Sequence, residues 1–309
     1  MIAFLFPGQG AQFAGFLHSL GGAAPHVRIG ETIEEASDVL HLSVLDLDHA
    51  DALRSTVSVQ IGLLVAGVAT ARALRAEGIV PDAVAGLSVG AYGAAVACEA
   101  IAFDDALRLV KLRAELMESA YPRGFGMLAV SGLNERQLSV VIENAGTRDA
   151  YIANLNAPRQ IVVAGSDIDL HRIHEASLEA GARKADRLAV SVPSHCVLLD
   201  VAARTLTAAA SKIDFHVPSV PYISNRGARP LREGDAIRND LATNLRYPVR
   251  WHDSTIVLNE LGVGVFVEMP PGNALTQLVG DALPDVAGVA IEQMSSASAV
   301  ALVRARAGL

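Results

Sequence analysis

The chain has 309 residues, 51% hydrophobic and 19% charged, with 33 acidic against 25 basic side chains and a net charge of −8 at pH 7. That composition supports a sizeable packed core and excludes a disordered chain. The acidic balance argues against nucleic acid as a partner, which needs a concentrated basic face. Two cysteines, Cys98 and Cys196, stand in apolar surroundings and give neither a disulfide framework nor metal-ligand spacing.

The first predicted element is a strand over Ile2–Phe6, which stops at Pro7-Gly8-Gln9-Gly10. It lacks the basic region and cleavage site of a signal peptide. A polar segment with helical spacing follows around Ile33–Val39, then a long helix over Val57–Glu77 that ends at Gly78. The apolar stretch 57–73 has the length of a short membrane helix, but Gln60, Thr70 and Arg72 interrupt it and its small residues suit a buried core helix. The expectation is a soluble, cytoplasmic protein with no membrane partner. Ala83–Leu87 reads as a short buried strand, Ala91–Cys98 as a helix of small residues, and Phe103–Ser119 as an amphipathic helix carrying Leu107, Val110, Leu112 and Leu116. Alternation of buried strands with helices predicts an α/β layered fold with a mainly parallel sheet.

The character changes after Tyr121-Pro122-Arg123-Gly124. A strand over Gly126–Val130, a helix over Asn134–Asn144, strands over Tyr151–Asn154 and Gln160–Ala164, a helix over Asp167–Ala180 and a strand over Lys184–Val192 follow. This β-α-β-β-α-β order is the ferredoxin-like arrangement. It predicts an inserted subdomain over 124–192 within a core formed by 1–123 and 193–309. The core resumes with a helix over Val197–Ser211, turn-rich chain over Pro218–Pro230, and a strand over Val263–Glu268 ending at Pro270-Pro271-Gly272.

Gly86-Leu87-Ser88-Val89-Gly90 has the G-x-S-x-G form of a nucleophile elbow, in the strand–turn–helix context that form requires. A serine on so sharp a turn needs glycine neighbours, and the turn aims backbone N–H groups and a helix dipole at its hydroxyl. Ser88 also needs a base, because a serine hydroxyl is a weak nucleophile at neutral pH. His18, His26, His41 and His49 lie in polar or turn-like surroundings, and His216 and His252 flank predicted strands and read as structural. His171 and His174 form an H-x-x-H beside Glu175, half of a metal site without a third ligand. His195 stands where a strand ends and the chain turns into a helix, the place where clefts form in open α/β sheets. It is the best base in the chain, with Cys196 a poor rival nucleophile beside it. No acid is selected to orient it: Asp200, Asp240 and Asp253 are possible by position, and a backbone carbonyl would serve as well.

Two further segments are open to more than one reading. Pro7-Gly8-Gln9-Gly10-Ala11-Gln12 fails as a dinucleotide fingerprint, because Phe13 takes the third glycine position. Beside a nucleophile such a loop offers a backbone N–H to an oxyanion, and a plain glycine turn has equal standing. Arg113, among apolar neighbours on a helix, either grips a carboxylate with two parallel hydrogen bonds or snorkels to the surface.

Together these segments resemble the malonyl-CoA:acyl carrier protein transacylase family over nearly the whole chain. Phe6–Gln12 is similar to its F-P-G-Q-G-[SA]-Q, and Gly86–Gly90 falls at its G-H-S-x-G elbow. Asn154–Pro158 with Gln160–Gly165 is similar to its N-x-N-x-P-x-Q-x-V-x-[AS]-G, Ser191–Cys196 to its S-V-P-[SF]-H-[CS], and Glu268–Gly272 to its E-x-G-P-G. The resemblance implies an α/β-hydrolase-like core with a ferredoxin-like insert. It implies Ser88 as nucleophile, His195 as base, the backbone N–H groups of Gln9 and Val89 as the oxyanion hole, and Arg113 as partner of the malonyl carboxylate. A main-chain carbonyl at Asn244 would orient the histidine. No permanently bound cofactor is implied; malonyl-CoA is the donor, and the pantetheine-type thiol of an acyl carrier protein is the acceptor.

Two departures bear on subtype: Leu87 stands where the fatty-acid enzymes have histidine, and Ala91 where they usually have glutamate. With Arg72, the run Gly86-Leu87-Ser88-Val89-Gly90-Ala91-Tyr92-Gly93 resembles the epsilon subunits of biotin-independent malonate decarboxylases, which charge a dedicated carrier subunit. The alternatives are a housekeeping fatty-acid-synthesis transacylase, a serine esterase or thioesterase that passes the acyl group to water, and a catalytically silent docking subunit. For carrier docking, Arg183, Lys184 and Arg187 form one candidate basic cluster and Arg226, Arg229 and Arg232 another, with a solvated charged face as the alternative for either.

Overall fold

The computed structural model describes residues 1–308 except Ala24, Pro122 and Gln293, so Pro122, at the expected domain boundary, lies outside the described residues. In chain order the elements are β1 (Ile2–Phe6), α1 (Val27–Leu40), α2 (Thr56–Ala76), β2 (Ala83–Gly86), α3 (Gly90–Ala97), α4 (Phe103–Ala120) and β3 (Phe125–Ser131). There follow α5 (Glu135–Asn144), β4 (Ala150–Ala157), β5 (Gln160–Ser166), α6 (Asp167–Glu179), β6 (Lys184–Arg187) and α7 (Asp200–Ala210). The last are β7 (Tyr222–Ile223), β8 (Pro230–Leu231), α8 (Gly234–Thr243), α9 (Trp251–Glu260), β9 (Val265–Glu268), α10 (Ala274–Ala282), β10 (Ala287–Ala290) and α11 (Ser296–Ala307).

The larger sheet has the strand order β10-β9-β1-β2-β7-β8 and is parallel except for the β7–β8 pair. β1 lies inside it and is buried at every residue, as strands covered on both faces are. Its side chains alternate: Ile2, Phe4 and Phe6 join the cluster built around α2, while Ala3 and Leu5 join Trp251, Phe266 and Leu275 beneath α9 and α10. α2 is apolar all round because it is wrapped by protein: its most apolar 18-residue window is 89% buried, so its length and hydropathy mark a core helix.

The second sheet, β4-β5-β3-β6, is antiparallel throughout. Leu128 and Val130 of β3 face α5 and α6, whereas Met127, with Val162 and Ala164 of β5, faces the opposite way towards Cys196. That opposite face borders the cleft described below. Val249, just before α9, bonds to both Ala153 and Leu155 and so ties β4 to the rest of the chain.

Several boundaries differ from expectation. The strand expected over Lys184–Val192 ends at Arg187, whose guanidinium donates to the Phe125 carbonyl. Leu188 N–H still bonds to Met127 O at 3.0 Å, and beyond it the ladder stops, with the Leu188 and Val190 side chains lining the cleft. The helix expected over Val197–Ser211 opens as a short 3-10 turn at Val197–Leu199. The turn-rich segment 218–230 contains β7, which pairs with β2 through only two residues. The strand expected from Val263 starts at Val265, since Val263 N–H is spent on the Leu258 carbonyl as α9 closes. His252 lies on α9 and does not flank a strand.

Candidate active site

β2 delivers the chain to Ser88 and α3 leads it away. Leu87 N–H still bonds to Phe6 O on the neighbouring strand, at 2.9 Å. Ser88 then takes φ 57, the left-handed conformation that L-residues adopt only at a cost. The flanking glycines are steric necessities. A Cβ on Gly86 would lie 2.1 Å from the Gly90 carbonyl carbon, and one on Gly90 would lie 2.1 Å from Phe6 O. The turn leaves the Val89 N–H at the head of α3 with no protein acceptor among the described residues, and the Gln9 N–H in the first loop likewise. Both residues line the same cleft, of about 600 Å³, with Ser88 and His195.

His195 also has a positive φ, 63°, and its N–H is anchored on Leu245 O at 2.8 Å. Its Nδ1 lies 2.8 Å from Asn244 O and its Nε2 2.7 Å from Ser88 Oγ. A carbonyl only accepts, so Nδ1 carries the proton and donates, leaving Nε2 to accept from the serine hydroxyl. Burial, reinforced by the positive charge of Arg113, pushes the imidazole down to about 4. The ring is therefore neutral at pH 7 and available as a proton acceptor. None of the three candidate acids touches it. Asp200 pairs with Arg204 and Arg246, and Asp253 with Arg250. Asp240 accepts from Tyr222 Oη at 2.8 Å and from Asn225 N–H at 3.2 Å.

Arg113 does not snorkel. It sits on the inner face of α4 with no solvent exposure, donating through Nη1 to Gln60 Oε1 at 2.5 Å and through Nη2 to Ser88 Oγ at 3.0 Å. Burial pulls it down to about 10, which still leaves it charged at neutral pH. Its Nε has no partner, and no carboxylate pairs with it among the described residues. A buried cation without a counter-ion is costly unless an anion arrives to pair with it. Met117, Met127, Val162, Leu188 and Val190 give the cleft apolar walls around this charge.

The remaining histidines stand apart. His171 is exposed beside Glu175, and His174 Nδ1 lies 2.8 Å from Ala185 O. Among the described residues no group of three or more His, Cys, Asp or Glu side chains has the geometry to hold a metal ion. Cys98 and Cys196 are buried, which pushes both thiols up to about 12. Gln60 and Asn225 were not anticipated as site residues. Gln60 left a signal, as a polar side chain inside an apolar helix; Asn225, in a turn-rich segment, left none.

The acyl transferase domain family matches residues 3–305. The malonyl CoA-acyl carrier protein transacylase of Escherichia coli strain K12 is 37% identical over 303 residues, covering 96% of this chain and 97% of that protein. The solved malonyl CoA-acyl carrier protein transacylase of Coxiella burnetii superposes with a TM-score of 0.93 at 33% identity, covering 99% of this chain and 97% of that one. A malonyl transacylase solved in complex with the acyl carrier protein of a type II polyketide synthase gives a TM-score of 0.92 at 34% identity, covering 100% and 99%. This chain belongs to the malonyl-CoA:acyl carrier protein transacylase family, within the acyl transferases.

Proposed function

We propose that the protein moves a malonyl group from malonyl-CoA to the pantetheine-type thiol of an acyl carrier protein, through an ester on Ser88. The observation that carries this reading is Arg113, a buried and uncompensated guanidinium 3.0 Å from the nucleophile. An esterase for neutral acyl groups gains nothing from a cation there. A malonyl carboxylate gains two parallel charge-assisted bonds.

In the first half-reaction Ser88 Oγ attacks the thioester carbonyl while its proton passes to His195 Nε2. The carbonyl electron pair moves onto oxygen, where the Gln9 and Val89 N–H groups receive it; loss of one such donor typically costs ~3–4 kcal/mol. Collapse breaks the C–S bond, and the departing CoA sulfur takes the proton from His195. In the second half-reaction the carrier thiol gives its proton to His195 and attacks the ester carbonyl. The C–O bond to Ser88 then breaks and the proton returns to Oγ. Asn244 O, 2.8 Å from Nδ1, steadies the imidazolium that forms in each half.

On this reading 1–123 and 193–309 form the catalytic core and 124–192 an insert that roofs the acyl end of the cleft through Met127 and Val162. General charging of an acyl carrier protein has more support than charging of a malonate decarboxylase carrier subunit, because the similar proteins carry the former name. Leu87 and Ala91 are what favour the decarboxylase reading, and neither alters the backbone of the elbow. The test isolates the malonylated enzyme and chases it with carrier proteins bearing phosphopantetheine or phosphoribosyl-dephospho-CoA arms. Carrier mass rising by one malonyl group is the expected result, and the preferred arm separates the two subtypes. Loss of the ester to water with no carrier product contradicts transfer.

A further inference from the structure

Ser88 is held from outside by two asparagine side chains. Asn225 Oδ1 accepts from Ser88 N–H at 2.8 Å, and Asn225 Nδ2 donates to Gly86 O at 2.8 Å. Asn244 Nδ2 donates to Ser88 O at 3.3 Å. These three bonds fall on three successive peptide planes: Gly86–Leu87, Leu87–Ser88 and Ser88–Val89. The last plane is the one that carries the Val89 N–H. A donor placed on its carbonyl both orients that N–H and polarises it.

Both asparagines are themselves fixed. Asn225 is 3% exposed, its N–H bonds to the buried Asp240 carboxylate, and its carbonyl accepts from Arg250 N–H at 2.9 Å. Asn244 is 1% exposed and already holds His195 through its carbonyl. Its side-chain Oδ1 has no partner. The amide's contribution therefore lies in its NH2 end, which joins the Ala91 N–H (3.1 Å) on the Ser88 carbonyl.

We infer that Asn225 and Asn244 are positioning residues that lock the three peptide planes of the elbow, so that the Val89 N–H meets the oxyanion formed at Ser88. Asn244 then links the two halves of the machinery, its main chain setting the base and its side chain setting the oxyanion donor. This rests on the acyl-serine reading above, but its test does not depend on the acyl donor.

The experiment compares wild type with Asn244→Leu, Asn244→Gln and Asn225→Leu. It measures phosphonylation of Ser88 by a fluorophosphonate reagent and malonyl-serine formation from malonyl-CoA across pH, with thermal melts alongside. Asn244→Leu is expected to slow both reactions about tenfold or more at unchanged KM. The pH midpoint should stay in place, because the main-chain carbonyl to His195 survives the substitution. Asn244→Gln keeps an amide and should recover part of the rate, and Asn225→Leu, which loses two bonds, should lose more. Undiminished rates in Asn244→Leu, a loss confined to KM, or a shifted pH midpoint would each overturn the inference. If wild-type Ser88 takes the phosphonate but not malonate, the substrate reading fails, while the ranking of the variants still decides this one.

Discussion

Arg113 helps to set the charge state of His195. The guanidinium helps to keep the buried imidazole neutral, pushed down to about 4, so the base stays competent well below the usual histidine range. Acylation should therefore hold its rate from pH 7 to near pH 5 and fall only towards pH 4, as burst rates from pH 4 to 8 will reveal; a midpoint near 6.5 would refute the coupling. The sign for stability is the same. Between about 4 and 6.5 the unfolded chain binds the proton and the folded one does not, so stability falls on acidification through that window. In Arg113→Met the histidine loses a repelling charge, so its midpoint should move up. That variant should also lose malonyl transfer by at least about thirtyfold, since a buried charge partner is worth about 2–5 kcal/mol and each 1.4 kcal/mol is tenfold. Acetyl transfer should persist or improve; parallel rate measurements with both CoA esters decide, and equal loss of the two contradicts the carboxylate clamp.

At the scale of elements, the elbow is a packing solution as much as a catalytic one. α3 can approach β1 only because Gly90 has no side chain, its would-be Cβ falling 2.1 Å from Phe6 O. Gly90→Ala should cost at least about 1–3 kcal/mol, read as a lower denaturation midpoint, with acylation falling further than stability because Ser88 shifts with the turn. The two basic clusters also separate at this scale. Lys184 and Arg187 are neutralised by Asp186 and Asp167, which leaves Arg183 as that cluster's one exposed cation without a carboxylate partner among the described residues. Arg226, Arg229 and Arg232 are exposed and pair with no carboxylate among the described residues, and Arg226 lies over the Tyr247 ring at 3.7 Å. Arg226 also follows Asn225, whose side chain accepts from Ser88 N–H, although none of the three arginines lines the cleft itself. Arg226→Glu should raise KM for the carrier several-fold, more at low salt, without slowing acylation by malonyl-CoA. A charge reversal at Lys184 with the larger effect would assign docking to the other face.

Over the whole molecule, legibility follows the strength of the local signal. β1, α2, β2, α4 and the β-α-β-β-α-β run 125–187 were readable because each carries a long apolar period or a sharp glycine or proline stop. Ser88 and His195 were readable because an elbow and a strand end are local motifs. What escaped was built from distance. β7 has two paired residues, too few for any period, yet it completes the sheet beside β2. α8 and α9 give weakly patterned sequence, and they carry Asp240 and bracket Asn244, whose importance comes from bonds to residues 49 and 156 positions away. Arg113 was ambiguous for the same reason: helical spacing gave it two faces, and only the packing of α4 against α2 turned it inward beside Gln60. The resemblance to known transacylases supplied Asn244 before the fold explained it.

The proposed reaction turns on a malonyl ester on Ser88 selected by a buried arginine. Intact mass after mixing the protein with malonyl-CoA or acetyl-CoA, beside a Ser88→Ala control, tests it most directly. One malonyl adduct is expected, preferred over acetyl and absent from the control. An adduct that survives in Ser88→Ala, or free CoA accumulating with no adduct on the wild-type protein, would contradict it.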